Sequence, residues 1–257
     1  TVRGRDVLLS QIVSRLPAGA ELTWERAEGD ASGPMTLHGV HFSLPRQVDP
    51  ECVPSDEASC EMGEIVFDAD RIVLDPALRP LLGRRLRLDA MVVRGATLDL
   101  PRSDTPFKLP VWPESLPEIA PPLALQADTI EVDDFTVTRD GAPVIEITRA
   151  RGGIDASEGR LHVEQLVVAS NRGRFTLDGD YVPDDDYRMD LTATAVLPAP
   201  TGRTAPSLGL VARGDLAHLE VALAGKAPAP LNATLVLDDD TGGERPRWRL
   251  RASTDAL

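Results

Sequence analysis

Aromatic side chains make up only 4% of this 257-residue chain, so any apolar surface must be built from Leu, Val, Ile and Ala. Cations are short as well: 27 Lys and Arg stand against 41 Asp and Glu, a net charge of −14. That balance argues against a nucleic-acid partner, because phosphate binding needs clustered Lys and Arg. It also works against broad attraction to anionic lipid headgroups. No apolar run reaches the roughly 18 residues that a membrane-spanning helix needs. No G-x-S-x-G, Walker loop or G-x-G-x-x-G is present, and nothing points to catalysis.

What is present is a folded composition, 42% hydrophobic and 26% charged, in a length that suits one or two domains. The chain opens at Thr1 without an initiator Met and stops at Leu257 with no closing signal. It is read as a piece of a longer protein whose targeting segment has been removed. Residues 1–17 read as one amphipathic helix, with Asp6 placed to cap it, Val7, Leu8, Ile12 and Leu16 as its stripe, and Pro17 where it ends. Beyond it the hydrophobic period switches to two. Leu22 and Trp24 alternate with polar neighbours, as do Met35 and Leu37, and at Gly39 the phase slips to Val40, Phe42 and Leu44, as a glycine bulge requires.

Leu86, Leu88, Ala90 and Val92 read as one face with Ala96, Leu98 and Leu100. Similar runs recur to Trp248, Leu250 and Ala252, broken by turn signals such as RDGAP, SNRGR and VPDDDY. The short spacing excludes a βαβ plan with crossover helices and predicts an antiparallel all-β meander. Residues 101–122 hold seven of the 22 prolines. Such density suits a loop lying over a surface or an opening, and divides the sheet into segments 18–100 and 123–257.

One phrase occurs twice. RLRLDAMVV at 85–93 and RLHVEQLVV at 160–168 share four of nine residues, and most of the other exchanges are mild. Each sits in one of the two segments.

Few residues offer chemistry. His38 and His41, three apart in HGVH, face opposite sides of a strand unless Gly39 re-aims one; they, His162 and His218 read as surface strand residues, and no metal site is expected. The acidic triplets 184–186 and 238–240 match no calcium loop and read as solvated turns. Cys52 and Cys60 lie in the polar, Pro-rich stretch 45–62. Seven residues separate them, a span that closes readily into a disulfide adding about 2 to 3 kcal/mol in the chain-entropy account. A bridge implies an oxidising compartment; the other reading is two free thiols in a reducing one.

The stretch AGAELTWERAEGDASGPMTLHGVHFSLP resembles the opening of the TamB family, with Gly29, Gly33, Pro34, Leu37, Gly39 and Val40 supplying a G-x-x-x-G-P turn and an L-x-G-V strand. DADRIVLDPALRPLLGRRLRLDAMVVRGATLDLP is similar to the same family through Asp75, Pro76, Leu81, Leu82 and Gly83, and the likeness continues from residue 123 to Tyr181. Other AsmA-like proteins share this strand grammar, and the Cys-containing insert departs from it.

The resemblance implies an elongated antiparallel β-taco, an open U-shaped trough of short strands, apolar inside and polar outside. It further implies a periplasmic location, an inner-membrane helix preceding Thr1, phospholipid as cargo carried toward the outer membrane, and an outer-membrane barrel partner in the translocation and assembly module. No cofactor and no enzymatic activity follow from it. With the alternation, it implies that Leu86, Leu88, Val92, Leu98, Leu100, Ile130, Val132, Leu161, Val163, Phe175, Leu177, Met189, Leu191, Leu235 and Leu237 line the trough. Other readings of the same strands are a docking or chaperone module that pairs its sheet edge with a client by β-augmentation, and a plain structural β-domain with a filled core.

Overall fold

The computed structural model describes residues 2–30, 33–48, 60–76, 86–102, 116–121, 124–226, 229–238 and 247–254. Cys52, Leu81, Leu82, Gly83, Asp239 and Asp240 lie outside them, as does much of 101–122. Among the described residues one helix, α1 (Val2–Val13), precedes fourteen strands. These are β1 (Glu21–Thr23), β2 (Arg26–Gly29), β3 (Met35–Gln47), β4 (Met62–Pro76), β5 (Leu86–Leu100), β6 (Leu125–Arg139), β7 (Ala142–Ser157) and β8 (Arg160–Ser170). They are followed by β9 (Gly173–Val182), β10 (Arg188–Val196), β11 (Ser207–Gly214), β12 (His218–Lys226), β13 (Pro230–Asp238) and β14 (Arg247–Thr254). All belong to a single sheet in chain order from β3 to β14, with β1 and β2 both paired to β3, and the sheet is not closed into a barrel. The fold is all-β with one short helix. Its accessible surface of 16616 Å² exceeds the roughly 11,000 Å² expected of a compact domain of this mass. The molecule is extended.

The helix ends at Val13, short of Pro17, and Asp6 lies inside it beside Arg5 rather than at its cap. Its buried side chains are Leu8 and Leu9, packed with Ile12 against the sheet, while Val7 of the expected stripe is 61% exposed. Neighbouring strands run antiparallel with one exception: β5 and β6 are parallel. A parallel neighbour obliges the chain to return along the whole strand, about 50 Å, and the stretch between Leu100 and Leu125 reaches about 80 Å at full extension. The Pro-rich segment is therefore the crossover. The sheet passes directly from β5 to β6 without a break.

Hairpin turns follow the expected chemistry. Asp140 and Gly141 both have positive φ, 52° and 73°, the two-residue turn that matches the twist of β6 and β7.

A shared crease crosses the first half of the sheet. Gly39, Asp70, Gly95, Asp134 and Thr148, one from each of β3 to β7, are skipped in the pairing registers and stand in line with one another. Gly39, Gly95 and Asp134 take positive φ of 57°, 59° and 56°. A slip in one strand alone would turn its side chains to the wrong face. Because all five slip along one line, Leu37 and Val40, Ala69 and Ile72, Val93 and Ala96, Val132 and Phe135, and Ile147 and Ala150 all stay on one side. The crease preserves the apolar face.

The repeated phrase carries a second slip. In β5 the apolar face runs Leu88, then Met91 and Val93; in β8 it runs Val163, then Leu166 and Val168. The apolar face steps over Asp89–Ala90 in β5 and Glu164–Gln165 in β8, the same place in both copies. Each copy is a strand opening with its bulge built in.

Candidate functional site

Following the register from strand to strand assembles one continuous apolar face. Met35 pairs with Leu74 and Val40 with Ala69; Val93 pairs with Val132, Val163 with Gly179, Leu177 with Ala193, Leu210 with Leu223 and Leu235 with Leu250. The opposite face carries the charge, including Asp133 with Arg149 at 2.9 Å and Asp190 with Arg213 at 2.9 Å.

Burial divides this apolar face into a covered margin and an open wall. The fully buried large side chains, Met35, Leu88 and Leu237, lie toward one end of their strands. Near β3 to β5 the margin is covered by α1, whose Arg5 also donates a 2.9 Å hydrogen bond to the Ala27 carbonyl. Near β8 to β10 it is covered by a strap, residues 116–121, whose Leu116 and Ile119 pack with Leu161, Tyr181 and Met189. Two hydrogen bonds hold the strap: the Tyr181 hydroxyl donates to the Pro117 carbonyl at 2.6 Å, and the Gly159 amide to that of Ile119 at 2.8 Å. Burial, and to a lesser degree neighbouring Tyr187, pushes the Tyr181 phenol up to about 12. Beyond these covers, Leu177, Leu191, Ala193, Leu210, Val221, Leu223 and Leu235 remain only partly buried. Such a wall can take apolar groups by burial without directional bonds.

Leu88, Leu98, Leu100, Ile130, Val132, Leu161, Val163, Phe175, Leu177, Met189, Leu191, Leu235 and Leu237 share the apolar face. Leu86 pairs with Leu125 through its backbone, and its side chain lies outside the described residues. Val92 does not belong. The bulge at Asp89–Ala90 moves it to the charged side, opposite Glu131 and Val73, and Val93 takes its place. Ala90 leaves the expected face for the same reason.

The β3–β4 contribution was absent from the expected lining: Leu37, Val40, Phe67, Ile72 and Leu74 all pack there. In β4 the signal is hidden because the slip falls at Asp70, with no glycine to mark it. Phe67 and Phe135 meet across intervening β5, ring centroids 6.5 Å apart, over the small side chain of Ala96.

The histidines belong to the charged face. Gly39 re-aims the HGVH pair, so that His38 and His41 point to the same side. His41 meets Asp68 at 2.7 Å, His162 meets Asp180 at 3.0 Å and His218 meets Asp238 at 2.6 Å, each across one strand boundary. Arg249 joins the last pair, and hydrogen bonds from Arg249 and then His218 hold the Asp238 carboxyl below its ordinary value. Asp184, Asp185 and Asp186 form an exposed turn in which Asp185 pairs with Arg188 at 2.8 Å. No group of three or more metal-ligating side chains is gathered among the described residues.

Neither the curated proteins nor the solved structures contain a match to this chain. The family model described as the TamB N-terminal domain matches residues 95–241, more than half of the sequence and most of the open wall. With an open all-β sheet of one apolar and one charged face, the chain belongs to the TamB family.

Proposed function

We propose that the apolar face is a lipid path, with phospholipid acyl chains lying along the partly buried aliphatic wall and headgroups directed to water. The observation that carries this reading is that Leu177, Leu191, Leu210, Leu223 and Leu235 are only partly buried on one continuous face. A filled core would bury them. The scarcity of aromatics supports it, since a smooth aliphatic wall suits chains of variable shape.

Hiding a sixteen-carbon tail from water is worth roughly 12 kcal/mol at about 0.8 kcal/mol per methylene. A bilayer offers the tail nearly the same. A continuous wall therefore need only match the membrane for movement to be close to level. In this reading the sheet curves lengthwise into a trough, acts without catalysis, and forms part of a periplasmic bridge anchored in the inner membrane and working with an outer-membrane barrel. A Cys52–Cys60 bridge fits that oxidising compartment.

The test is native mass spectrometry of the purified protein, followed by organic extraction and lipid analysis. Co-purified phospholipid that disappears in a Leu177→Glu/Leu210→Glu variant of unchanged far-UV circular dichroism is the expected result. A lipid-free mass that stays unchanged when liposomes are offered would overturn the reading.

The edge of the sheet favours a second reading. Among the described residues β14 pairs only with β13, and its Leu250 is 69% exposed. Strand addition there by an unfolded outer-membrane client would make the domain a docking module.

A further inference from the structure

The charged face holds a feature that the net charge conceals. Arg26 pairs in register with His38, His38 with Arg71, Arg71 with Arg94, Arg94 with Asp133, Asp133 with Arg149, Arg149 with Ala169 and Ala169 with Arg174. The chain contains only two lysines, and five of its arginines stand in this single row across β2 to β9. At the usual strand spacing the row is about 34 Å long. Its only carboxylate, Asp133, is 18% exposed and lies against Arg94 at 3.7 Å and Arg149 at 2.9 Å. The guanidiniums above it are 57% and 65% exposed. Positive charge is therefore presented outward with its counter-charge beneath.

Arg71 and Arg94 stand directly opposite each other, an arrangement that disfavours the sheet. Neither Arg71 nor Arg174 has an ion-pair partner among the described residues. At the Arg174 end the row borders a cleft of about 900 Å³ whose lining holds three arginines, Arg149, Arg151 and Arg174, against two carboxylates, Asp128 and Glu164.

We propose that this row is a docking surface for an extended acidic peptide segment of a partner protein. About ten extended residues span 34 Å, and the planar guanidinium fork suits bidentate capture of carboxylates. Shape decides against a flat anionic membrane. The positive charge is a narrow row, widened only by Arg151 beside Arg149, and it is flanked by Asp68, Asp70, Glu131 and Glu164, which would meet any planar anionic surface. The site lies on the side away from the apolar wall, so it stands or falls independently of lipid carriage.

The test uses fluorescence polarisation with a labelled decapeptide alternating Glu and Ser. Binding should weaken with added salt. The Arg71→Ala/Arg174→Ala variant, which strands no carboxylate, should bind about tenfold more weakly, near threefold per arginine. Arg188→Ala/Arg213→Ala, outside the row, should bind like the parent. Failure of the parent to bind the peptide would overturn the proposal, as would equal affinity in the two variants. So would row-dependent binding to phosphatidylglycerol-containing vesicles in the absence of peptide binding.

Discussion

The Tyr181 hydroxyl reaches across the apolar face to the carbonyl of Pro117, 2.6 Å away, and ties the crossover strap to β9. The strap comes from the segment that makes β5 and β6 parallel, so one stretch of chain both reverses the sheet and covers part of it. Leu116 and Ile119 supply the apolar contacts; Tyr181 supplies direction.

Tyr181→Phe should keep the packing and lose the hydrogen bond, costing about 1 kcal/mol in urea denaturation at pH 7. A pH series adds a second reading. The folded phenol titrates near 12 against 10.0 for the free group, so its stabilising effect is intact below pH 10 and lost as pH rises through about 12. The Phe variant should lack that alkaline component. If parent and variant weaken equally between pH 10 and 12, Tyr181 is not the group responsible.

Asp99 anchors the β6–β7 hairpin to β5. Its carboxylate accepts hydrogen bonds from the Thr138 hydroxyl and the Gly141 amide, and these, in that order, hold its carboxyl below the ordinary 3.8. A depressed carboxyl stabilises above its unfolded value and ceases to do so as pH falls through the folded one. Thr138→Val should therefore cost about 1 kcal/mol at neutral pH. The gap from the parent should close below pH 3.8, as followed by circular dichroism during acid titration. A gap that widens in acid would contradict the assignment.

Gly95 sits in the crease with φ of 59°, and a Cβ there would run into the Asp70 carboxylate of the adjacent strand. Gly95→Ala should cost more than about 1 kcal/mol, from left-handed strain and collision together. Adding Asp70→Ala removes the collision but leaves the backbone strain. A double-mutant cycle should therefore recover part of the loss and no more. Full additivity would mean that the two strands do not meet at the crease.

Much of the sheet is readable from alternation alone, and its failures have definite causes. In β10 and β12 no bulge intervenes, and Met189, Leu191 and Leu219 fall where period two places them. Gly39 announces its slip because glycine marks a positive φ. Asp70 and Asp89–Ala90 do not announce theirs, which misplaces Val92 and hides Ile72 and Leu74. The parallel pair is invisible because prolines mark a loop without saying at which end it rejoins the sheet. Leu9 is buried because the helix faces a sheet, whose wide contact takes adjacent residues that a narrow stripe omits. Whether the wall is open is not written in periodicity at all, since a closed sandwich alternates in the same way.

That last distinction can be measured by comparing Leu88 with Leu191. Both occupy the apolar face, but Leu88 is 1% exposed at the covered margin while Leu191 is partly exposed on the open wall. Leu88→Ala should cost about 3 kcal/mol, the transfer loss plus an unfilled cavity. Leu191→Ala should cost about 1 kcal/mol, because solvent or ligand already reaches the site and no closed cavity forms. The contrast sharpens with charge. Leu88→Glu should abolish the cooperative urea transition, since it buries an unpaired carboxylate, whereas Leu191→Glu should fold with a modest loss. Equal, severe losses at both positions would mean that the wall is packed against something in solution, and a filled core would then replace the open face.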